Sequence, residues 1–281
     1  MQVNKIVPQG FCKGVILAIN KALEAKDLKN VYSLGSLIHN DIMVKRLSDA
    51  GIKTIDVKGM SRIEMLDLIP DGSSVIISAH GASPSVFLKC KEKNLNIIDA
   101  TCEYVYKTHD DIKKYLSLGY DVYYIGTKGH AECEGAIGIS DKIRLISSID
   151  DINNYNFINN SFIINQTTMS IYELMDYHKL IKEKNPNVLI SSSICDATTL
   201  RQKAVINAPY CDLFIIVGDI KSSNTNKLYK IASQKYKAIM ITSLDDLKNY
   251  PLDGINIVNI TAGASTPREV VAEIIAYLEK K

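Results

Sequence analysis

The sequence predicts an α/β fold built from three lobes related by pseudo-threefold symmetry, each with a parallel sheet covered by helices. First, short β-branched runs alternate with amphipathic segments along the whole chain, which is typical of parallel sheets. Second, Cys12, Cys102 and Cys195 each follow a strand-like run and precede a helical segment, at intervals of 90 and 93 residues. Third, polar turns recur at similar offsets after each of these cysteines, as expected of an internal repeat.

The individual elements follow from local composition and periodicity. An apolar stretch before Cys12 predicts a first strand. Runs rich in Val, Ile and Tyr predict the later strands, at Asn30–Leu34, Ser74–Ser78, Leu95–Ile98, Asp121–Ile125, Phe162–Asn165, Val188–Ser191, Leu213–Val217, Ala238–Thr242 and Ile255–Ile260. Amphipathic periodicity predicts helices at Gly14–Lys26, Glu103–Leu118, Ser170–Lys184 and Pro267–Lys280.

The repeat also predicts where the lobes begin and end. We expect a first lobe at residues 13–101, a second at 102–194 and a third at 195–281. The third is one strand short, and residues 1–12 are expected to supply that strand. Because functional loops gather at the carboxyl ends of parallel strands, three lobes facing one centre would bring the cysteines and the polar turns together there.

Composition excludes several classes of protein. The net charge of +2 provides no basic field, so no nucleic-acid partner is expected. No run of about 18 uncharged apolar residues is present, and therefore no membrane span is expected. The first residues are too polar for a signal peptide. The chain is therefore expected to be a soluble cytoplasmic protein, and its 46% apolar residues are enough to fill several cores.

Three of the six cysteines carry the strongest chemical signal. A reducing cytoplasm disfavours disulfides, and the chain has no CxxC pair, which argues against a zinc ribbon. Thiolates of Cys12, Cys102 and Cys195 converging from separate lobes suit a four-iron cluster, in which three ligands leave one iron open. The alternative is that all three are small buried residues. Cys90 and Cys211 lie outside the repeat and are interpreted as packing residues.

The polar turns after the strands are rich in hydroxyl, amide and imidazole side chains. Ser222-Ser223-Asn224 stands before a helix expected at Lys227–Ser233, and Gly263–Pro267 has a similar composition. Such groups at helix N-termini form anion-binding surfaces. For each turn alone, helix capping is the alternative explanation. Six such turns at one centre favour a phosphorylated ligand.

Glu132 is interpreted as the proton donor of a buried redox site. It follows the strand predicted at Asp121–Ile125 and lies two residues after His130. Desolvation near a dry cluster should raise the pKa of this carboxyl, because burial disfavours its charged form. A lone histidine is more often structural than functional. However, His39, His80 and His130 each lie in a turn that the repeat assigns to the same centre, which favours a functional role.

Taken together, these motifs resemble the family of 4-hydroxy-3-methylbut-2-enyl diphosphate reductases, which catalyse the last step of the non-mevalonate isoprenoid pathway. The resemblance covers essentially the whole chain, and its specificity comes from the ordered set. That set is Gly10-Phe11-Cys12-Lys13-Gly14-Val15, Ile38-His39-Asn40, Ser78-Ala79-His80-Gly81, Asp99-Ala100-Thr101-Cys102, Gly129-His130-Ala131-Glu132-Cys133-Glu134-Gly135, Gln166-Thr167-Thr168, Ser222-Ser223-Asn224 and Thr261-Ala262-Gly263-Ala264-Ser265.

The resemblance implies a three-lobed fold around one 4Fe–4S cluster per chain, bound by Cys12, Cys102 and Cys195 with one open iron. It implies reductive dehydroxylation of (E)-4-hydroxy-3-methylbut-2-enyl diphosphate, with two electrons and two protons, to isopentenyl and dimethylallyl diphosphate. Ferredoxin or flavodoxin would donate the electrons.

The resemblance also implies roles for individual residues. Glu132 would be the proton source and would work with Thr167, with Thr168 as the adjacent alternative and His130 in the same pocket. A diphosphate clamp would be formed by His39, His80, Ser222, Ser223, Asn224 and Ser265.

The chain departs from the usual family pattern without losing an expected ligand or the acid. The departures are Glu103 after Cys102, Ala131 and Cys133 around the acid, and Leu200. Two other functions remain open at this point: an iron–sulfur dehydratase that consumes no electrons, and an iron–sulfur carrier or structural metal protein. Dependence on reductant and binding of diphosphate distinguish these possibilities.

Overall fold

Three parallel four-stranded sheets with helices around them form the fold. The structure is a computed structural model, and it describes residues 1–191 and 193–281. This architecture confirms the α/β class and the three parallel-sheet lobes expected from the sequence. Within these described ranges, no helix is both long enough and apolar enough to cross a membrane.

The strands are short, and every one pairs with its neighbours in parallel. They are Gln2–Lys5 (β1), Val31–Leu34 (β2), Lys53–Ile55 (β3), Ser74–Ile77 (β4), Asn96–Asp99 (β5), Asp121–Ile125 (β6), Arg144–Ile146 (β7), Ser161–Asn165 (β8), Leu189–Ile190 (β9), Leu213–Val217 (β10), Ala238–Ile241 (β11) and Ile257–Ala262 (β12).

Helices connect nearly all of these strands. They are Lys13–Glu24 (α1), Asp41–Asp49 (α2), Arg62–Asp67 (α3), Pro84–Glu92 (α4), Glu103–Ser117 (α5), Ala131–Ile137 (α6), Ile149–Asn153 (α7), Ile171–Lys184 (α8), Asp196–Ile206 (α9), Ser223–Ser233 (α10), Leu244–Lys248 (α11) and Arg268–Glu279 (α12). The four predicted amphipathic helices and the nine predicted later strands are confirmed to within two residues at each end.

Several elements have no counterpart in the predicted set. They are the short strands β3 and β7 and the helices α2, α3, α4, α6, α7 and α11. The helix expected at Lys227–Ser233 was placed too late, since α10 begins at Ser223. The reason is a local cap: the Ser222 hydroxyl accepts a hydrogen bond from the Thr225 backbone N–H at 3.3 Å, which satisfies an otherwise unpaired donor of the first turn.

The chain divides into two compact units. One consists of residues 1–15, 38–43 and 195–281 and contains a sheet of order β1-β12-β10-β11. The other consists of residues 16–37 and 44–194 and contains sheets of order β3-β2-β4-β5 and β7-β6-β8-β9. The strands of each sheet fall within one of the three predicted lobe ranges, and we retain those boundaries as a proposal.

The central strands bury side chains on both faces. In β10, Leu213, Ile215 and Val217 pack in one apolar cluster, whereas Phe214 and Ile216 pack in another. Strand β6 does the same with Tyr123 and Ile125 on one side and Val122 and Tyr124 on the other. Because alternate residues of a strand point to opposite faces, these runs need apolar residues at every position. In β12 and β2, by contrast, the buried polar residues Asn259 and Ser33 donate hydrogen bonds to backbone carbonyls.

Most of the predicted site residues lie just beyond the carboxyl end of a strand. His80 follows β4, Glu132 follows β6 and Thr167 follows β8 in one unit. In the other unit, Ser222 follows β10 and Ser265 follows β12. Within a parallel sheet these ends share one edge, which is where such folds bind ligands.

Candidate active site

Glu132 is a buried carboxyl whose two oxygens both accept hydrogen bonds from Thr167. It lies in the first turn of α6, and 1% of its surface is exposed. Its Oε1 accepts the Thr167 backbone N–H at 2.7 Å, and its Oε2 accepts the Thr167 hydroxyl at 3.0 Å. The Tyr124 hydroxyl lies 3.5 Å from Oε1. The sequence-based pairing of Glu132 with Thr167 is therefore seen directly in the contacts.

Burial controls the protonation of this carboxyl. Desolvation raises the pKa of Glu132 to about 7, and the hydrogen bonds from Thr167 and Tyr124 oppose that rise. A carboxyl whose pKa lies near neutrality can hold a proton and release it under ordinary conditions, which suits a general acid. This matches the expectation for Glu132 from the sequence.

Two histidines of the same unit lie at the start of the helix that carries Glu132. His130 is the N-cap of α6, and its Nδ1 accepts the Glu132 backbone N–H at 3.2 Å. In the neutral ring the proton is then on Nε2, because Nδ1 is the acceptor. The ring of His80 meets that of His130 edge-on, with centroids 5.2 Å apart. The two imidazoles predicted in separate turns are thus neighbours.

The turn that carries His80 is shaped by close packing at Gly81. Its φ is +72°, and a Cβ there would come within 3.1 Å of both Thr101 and Val105. Arg62 donates from Nη1 to the Gly81 carbonyl at 2.6 Å. Sequence reasoning missed Arg62, because a single arginine in a short helix has no distinctive pattern.

A hydrogen-bond network also holds the Thr167 turn in place. The Gln166 side chain accepts the Thr127 backbone N–H at 3.0 Å and donates to the Thr168 hydroxyl at 2.8 Å. Gln166 is fully buried. Thr168 therefore helps to support the turn, whereas Thr167 contacts the acid. Of the two threonines, contact with Glu132 favours Thr167 for the proton-transfer role.

The six cysteines form two groups. Cys12, Cys102 and Cys195 are half-buried, and each directly precedes the first residue of a helix, namely α1, α5 and α9. A helix N-terminus carries a partial positive charge, which favours an anionic group bound beside it. The remaining three cysteines are buried in apolar clusters, and burial raises the pKa of each thiol: Cys90 to about 11, Cys133 to about 12, and Cys211.

Two of the predicted metal ligands lie in the same compact unit, close to one buried cation. The Cys195 Sγ lies 3.0 Å from the Thr198 hydroxyl and accepts the Thr198 backbone N–H at 3.3 Å. Burial lowers the pKa of Arg201, and the charges of Cys12 and Cys195 act in the opposite direction. Thiolates at helix N-termini beside a guanidinium fit an anionic iron–sulfur group.

The third predicted ligand, Cys102, belongs to the other compact unit. In residues 1–191 and 193–281, no three or more His, Cys, Asp or Glu side chains form a group that could hold a metal ion. The convergence of Cys12, Cys102 and Cys195 on one cluster therefore stays a prediction.

Buried polar atoms without partners mark the region around α10. Among the described residues, both side-chain amide atoms of Asn224 and the hydroxyls of Thr225 and Ser265 are buried without a hydrogen-bond partner. Such atoms are expected to be paired in a folded protein, so they fit an absent polar ligand. Sequence reasoning named Asn224 and Ser265 but missed Thr225, which continues the same motif.

The other predicted clamp residues of this unit lie at or near the start of a helix. Ser222 caps α10, and Ser223 is its first residue. His39 is half-buried and lies beside Asn40, whose Oδ1 accepts the Met43 backbone N–H at 3.1 Å at the start of α2. The Cys12 backbone N–H donates to the Ala264 carbonyl at 3.2 Å, which joins the first cysteine loop to the turn that carries Ser265.

A family model described as LytB protein matches residues 3–279 of this chain. The chain belongs to the LytB family. This confirms the resemblance inferred from the motifs, and the match extends over nearly the whole sequence.

Full-length relatives of this LytB-family chain carry one enzyme name. A 4-hydroxy-3-methylbut-2-enyl diphosphate reductase from Bacillus pumilus is 43% identical over 288 residues, covering 99% of this chain and 91% of the relative. A reductase of the same name from Bacillus cytotoxicus is 42% identical over 289 residues, covering 100% and 91%. The LytB-family chain is accordingly an oxidoreductase.

A solved structure agrees with this assignment. The E-1-hydroxy-2-methyl-but-2-enyl-4-diphosphate reductase from Plasmodium falciparum is 33% identical and covers 99% of this chain and 87% of its own. Its TM-score to the LytB-family chain is 0.92, so the two proteins share the fold.

The raised pKa of Glu132 predicts how the stability of the LytB-family chain depends on pH. The folded-state pKa is about 7 against an ordinary 4.5, so the protonated acid contributes stability below pH 4.5, and this contribution is lost as the pH rises through 7. Between pH 5 and pH 8, the free energy of unfolding should fall by up to about 3 kcal/mol more in the wild type than in Glu132→Gln. Urea unfolding of both proteins measures the difference.

Glu134 provides the matched control, because it is an exposed acid on the same helix. Glu134→Gln should keep the pH slope of the wild type. If Glu132→Gln and the wild type lost stability equally between pH 5 and pH 8, Glu132 would not be protonated at neutral pH.

Proposed function

We propose that the chain reductively removes the hydroxyl of (E)-4-hydroxy-3-methylbut-2-enyl diphosphate. Two electrons and two protons convert the substrate into water and isopentenyl or dimethylallyl diphosphate. A 4Fe–4S cluster bound by Cys12, Cys102 and Cys195, with one open iron, would carry the electrons. The observation that carries this proposal is the buried Glu132 carboxyl, with its pKa near 7 and its pairing with Thr167. The names of the full-length relatives support the substrate and the reaction.

The diphosphate would be bound near the start of α10. Asn224 and Ser265 have buried polar atoms with no protein partner, and phosphate oxygens would supply the missing hydrogen bonds. The N-terminus of this 11-residue helix favours an anion through its partial positive charge. We assign Ser222 and Ser223, which begin the helix, and the histidines His39 and His80 to the same clamp.

The proton would pass from Glu132 through Thr167. When Glu132 is protonated, its Oε2 can donate to the Thr167 hydroxyl 3.0 Å away. Thr167 is then free to donate its own proton to the departing substrate hydroxyl. This step is needed because hydroxide is a poor leaving group. The backbone N–H of Thr167 keeps Oε1 in place at 2.7 Å, and burial keeps competing water away. His130, which accepts the Glu132 backbone N–H, would face the substrate from the same helix end.

The three cysteines would hold the cluster. When bound, such a cluster supplies electrons one at a time and an open iron that acts as a Lewis acid. Each of the three cysteines directly precedes a helix, and the partial positive charge of a helix N-terminus favours an anionic group bound there. Ferredoxin or flavodoxin as the electron donor, and a cytoplasmic location, remain part of the proposal.

The central test of the proposal is Glu132→Gln. Because the variant cannot supply the proton, kcat/KM should fall roughly 10²- to 10⁴-fold, while the absorbance of the cluster stays at the wild-type level. Anaerobic turnover of (E)-4-hydroxy-3-methylbut-2-enyl diphosphate with a chemical reductant measures the effect.

The exposed neighbour variant Glu134→Gln should retain wild-type turnover and serves as the control. Near-normal turnover by Glu132→Gln would remove Glu132 from its role. Product formation by the wild type without any reductant would instead favour a dehydratase.

The diphosphate clamp is tested by Ser265→Ala. Loss of a hydrogen bond to a charged group should raise KM roughly 10- to 100-fold, with little change in kcat. Stability of the apoprotein should not fall, because the Ser265 hydroxyl is buried without a partner. Steady-state kinetics, inhibition by inorganic diphosphate and thermal unfolding measure these effects.

Ser233→Ala is the matched control, because Ser233 ends the same helix α10 and its hydroxyl donates to the backbone carbonyls of Tyr229 and Lys230. It should leave KM unchanged. An unaltered KM and diphosphate inhibition in Ser265→Ala would place the anion site elsewhere.

A further inference from the structure

Arg201 is a buried cation with no role in the function described so far. It lies on α9, six residues after Cys195, and 4% of its surface is exposed. Arginine is rarely buried to this extent unless it is paired with an anion. Its position therefore needs a physical explanation.

The hydrogen bonds of Arg201 join the loops of two predicted metal ligands. Its Nη2 donates to the Gly10 carbonyl at 2.6 Å, two residues before Cys12. Its Nη1 donates to the Ala197 carbonyl at 2.9 Å, two residues after Cys195. One planar guanidinium thus spans both segments, and its rigid geometry would fix the distance between them.

These contacts leave the charge of Arg201 without a partner of opposite sign. Both acceptors are neutral carbonyls, and its Nε is buried with no hydrogen-bond partner. Within residues 1–191 and 193–281, no carboxylate forms an ion pair with it. A buried charge without a counter-ion is strongly destabilising. The groups that act on it electrostatically are the sulfurs of Cys12 and Cys195.

We propose that Arg201 is the built-in counter-ion and positioning residue for an anionic iron–sulfur cluster bound through Cys12 and Cys195. The inference rests on the proposed function. It extends that function to a residue whose guanidinium donates to the backbone of the two cysteine loops and not to the cysteine side chains. Uptake of one electron makes the cluster more negative by one charge, and a fixed buried cation stabilises that reduced form. Arg201 thereby raises the reduction potential of the cluster.

Two variants separate charge from shape. Arg201→Gln removes the charge but keeps a donor, and Arg201→Lys keeps the charge but loses the planar fork. The holoenzymes are purified anaerobically, and their reduction potentials are measured by redox titration followed by electron paramagnetic resonance. Iron content is measured on the same samples. We expect a more negative potential in Arg201→Gln and a potential close to the wild type in Arg201→Lys.

Lys203→Met is the matched control, because Lys203 is an exposed cation on the same helix. It should leave the potential unchanged. A purely structural role for Arg201 would lower the melting temperature of both Arg201 variants without a charge-dependent shift in potential, and that result would overturn the proposal.

If Arg201→Gln loses the cluster, its reduction potential cannot be measured, and Arg201→Lys becomes the deciding variant. Wild-type iron content and potential in the lysine variant would support a counter-ion, whereas equal loss of iron from both would overturn it. A wild-type protein that takes up no cluster would contradict the proposed function itself. The two failures are therefore distinguishable.

Discussion

The whole arrangement depends on the burial of both faces of short parallel strands. A strand such as β10 has apolar side chains at every position, in contact with helices on either side. A polar side chain in this strand would be buried, and burial without a hydrogen-bond partner would destabilise the fold. Polar residues inside the strands, such as Asn259 and Ser33, are hydrogen-bonded to backbone carbonyls, and the candidate site residues lie in the loops beyond the carboxyl ends. The location of Glu132, Thr167, Ser222 and Ser265 follows from this constraint on packing.

Periodicity made much of the fold predictable from the sequence, and its absence explains what was missed. Strands such as β6 and helices such as α5 have clear patterns, and they were found to within two residues. Strands β3 and β7 have only three residues each, too few for a pattern to emerge. The predicted start of α10 is too late because Ser222, Ser223 and Asn224 are typical of a polar turn. In the structure the Ser222 hydroxyl caps the helix, which therefore begins at Ser223.

The sequence indicated candidate site residues where a motif and the family resemblance point to chemistry. Glu132 and Asn224 belong to this class, and their roles stay a proposal. Arg201 was not predictable, because its importance comes from burial and from a hydrogen bond to the carbonyl of Gly10, which is 191 residues away in the sequence. Glu132 and Arg201 are both buried ionisable groups, and they avoid the cost of an unpaired buried charge in opposite ways. The acid becomes neutral by retaining a proton, whereas the guanidinium keeps its charge and needs an anion beside it.

The pairing of β1 with β12 has a consequence for how the chain is made. Gln2 is aligned with Ile257 and Lys5 with Ile260, so an early strand lies beside one synthesised some 255 residues later. At ribosomal speeds of about 5–20 residues per second, β1 waits roughly 13–50 s for its neighbour. During that interval its open edge is a template for the wrong strand. The sheet that contains β1 is therefore the last of the three that can close, and β1 stays open to mispairing until β12 has been made.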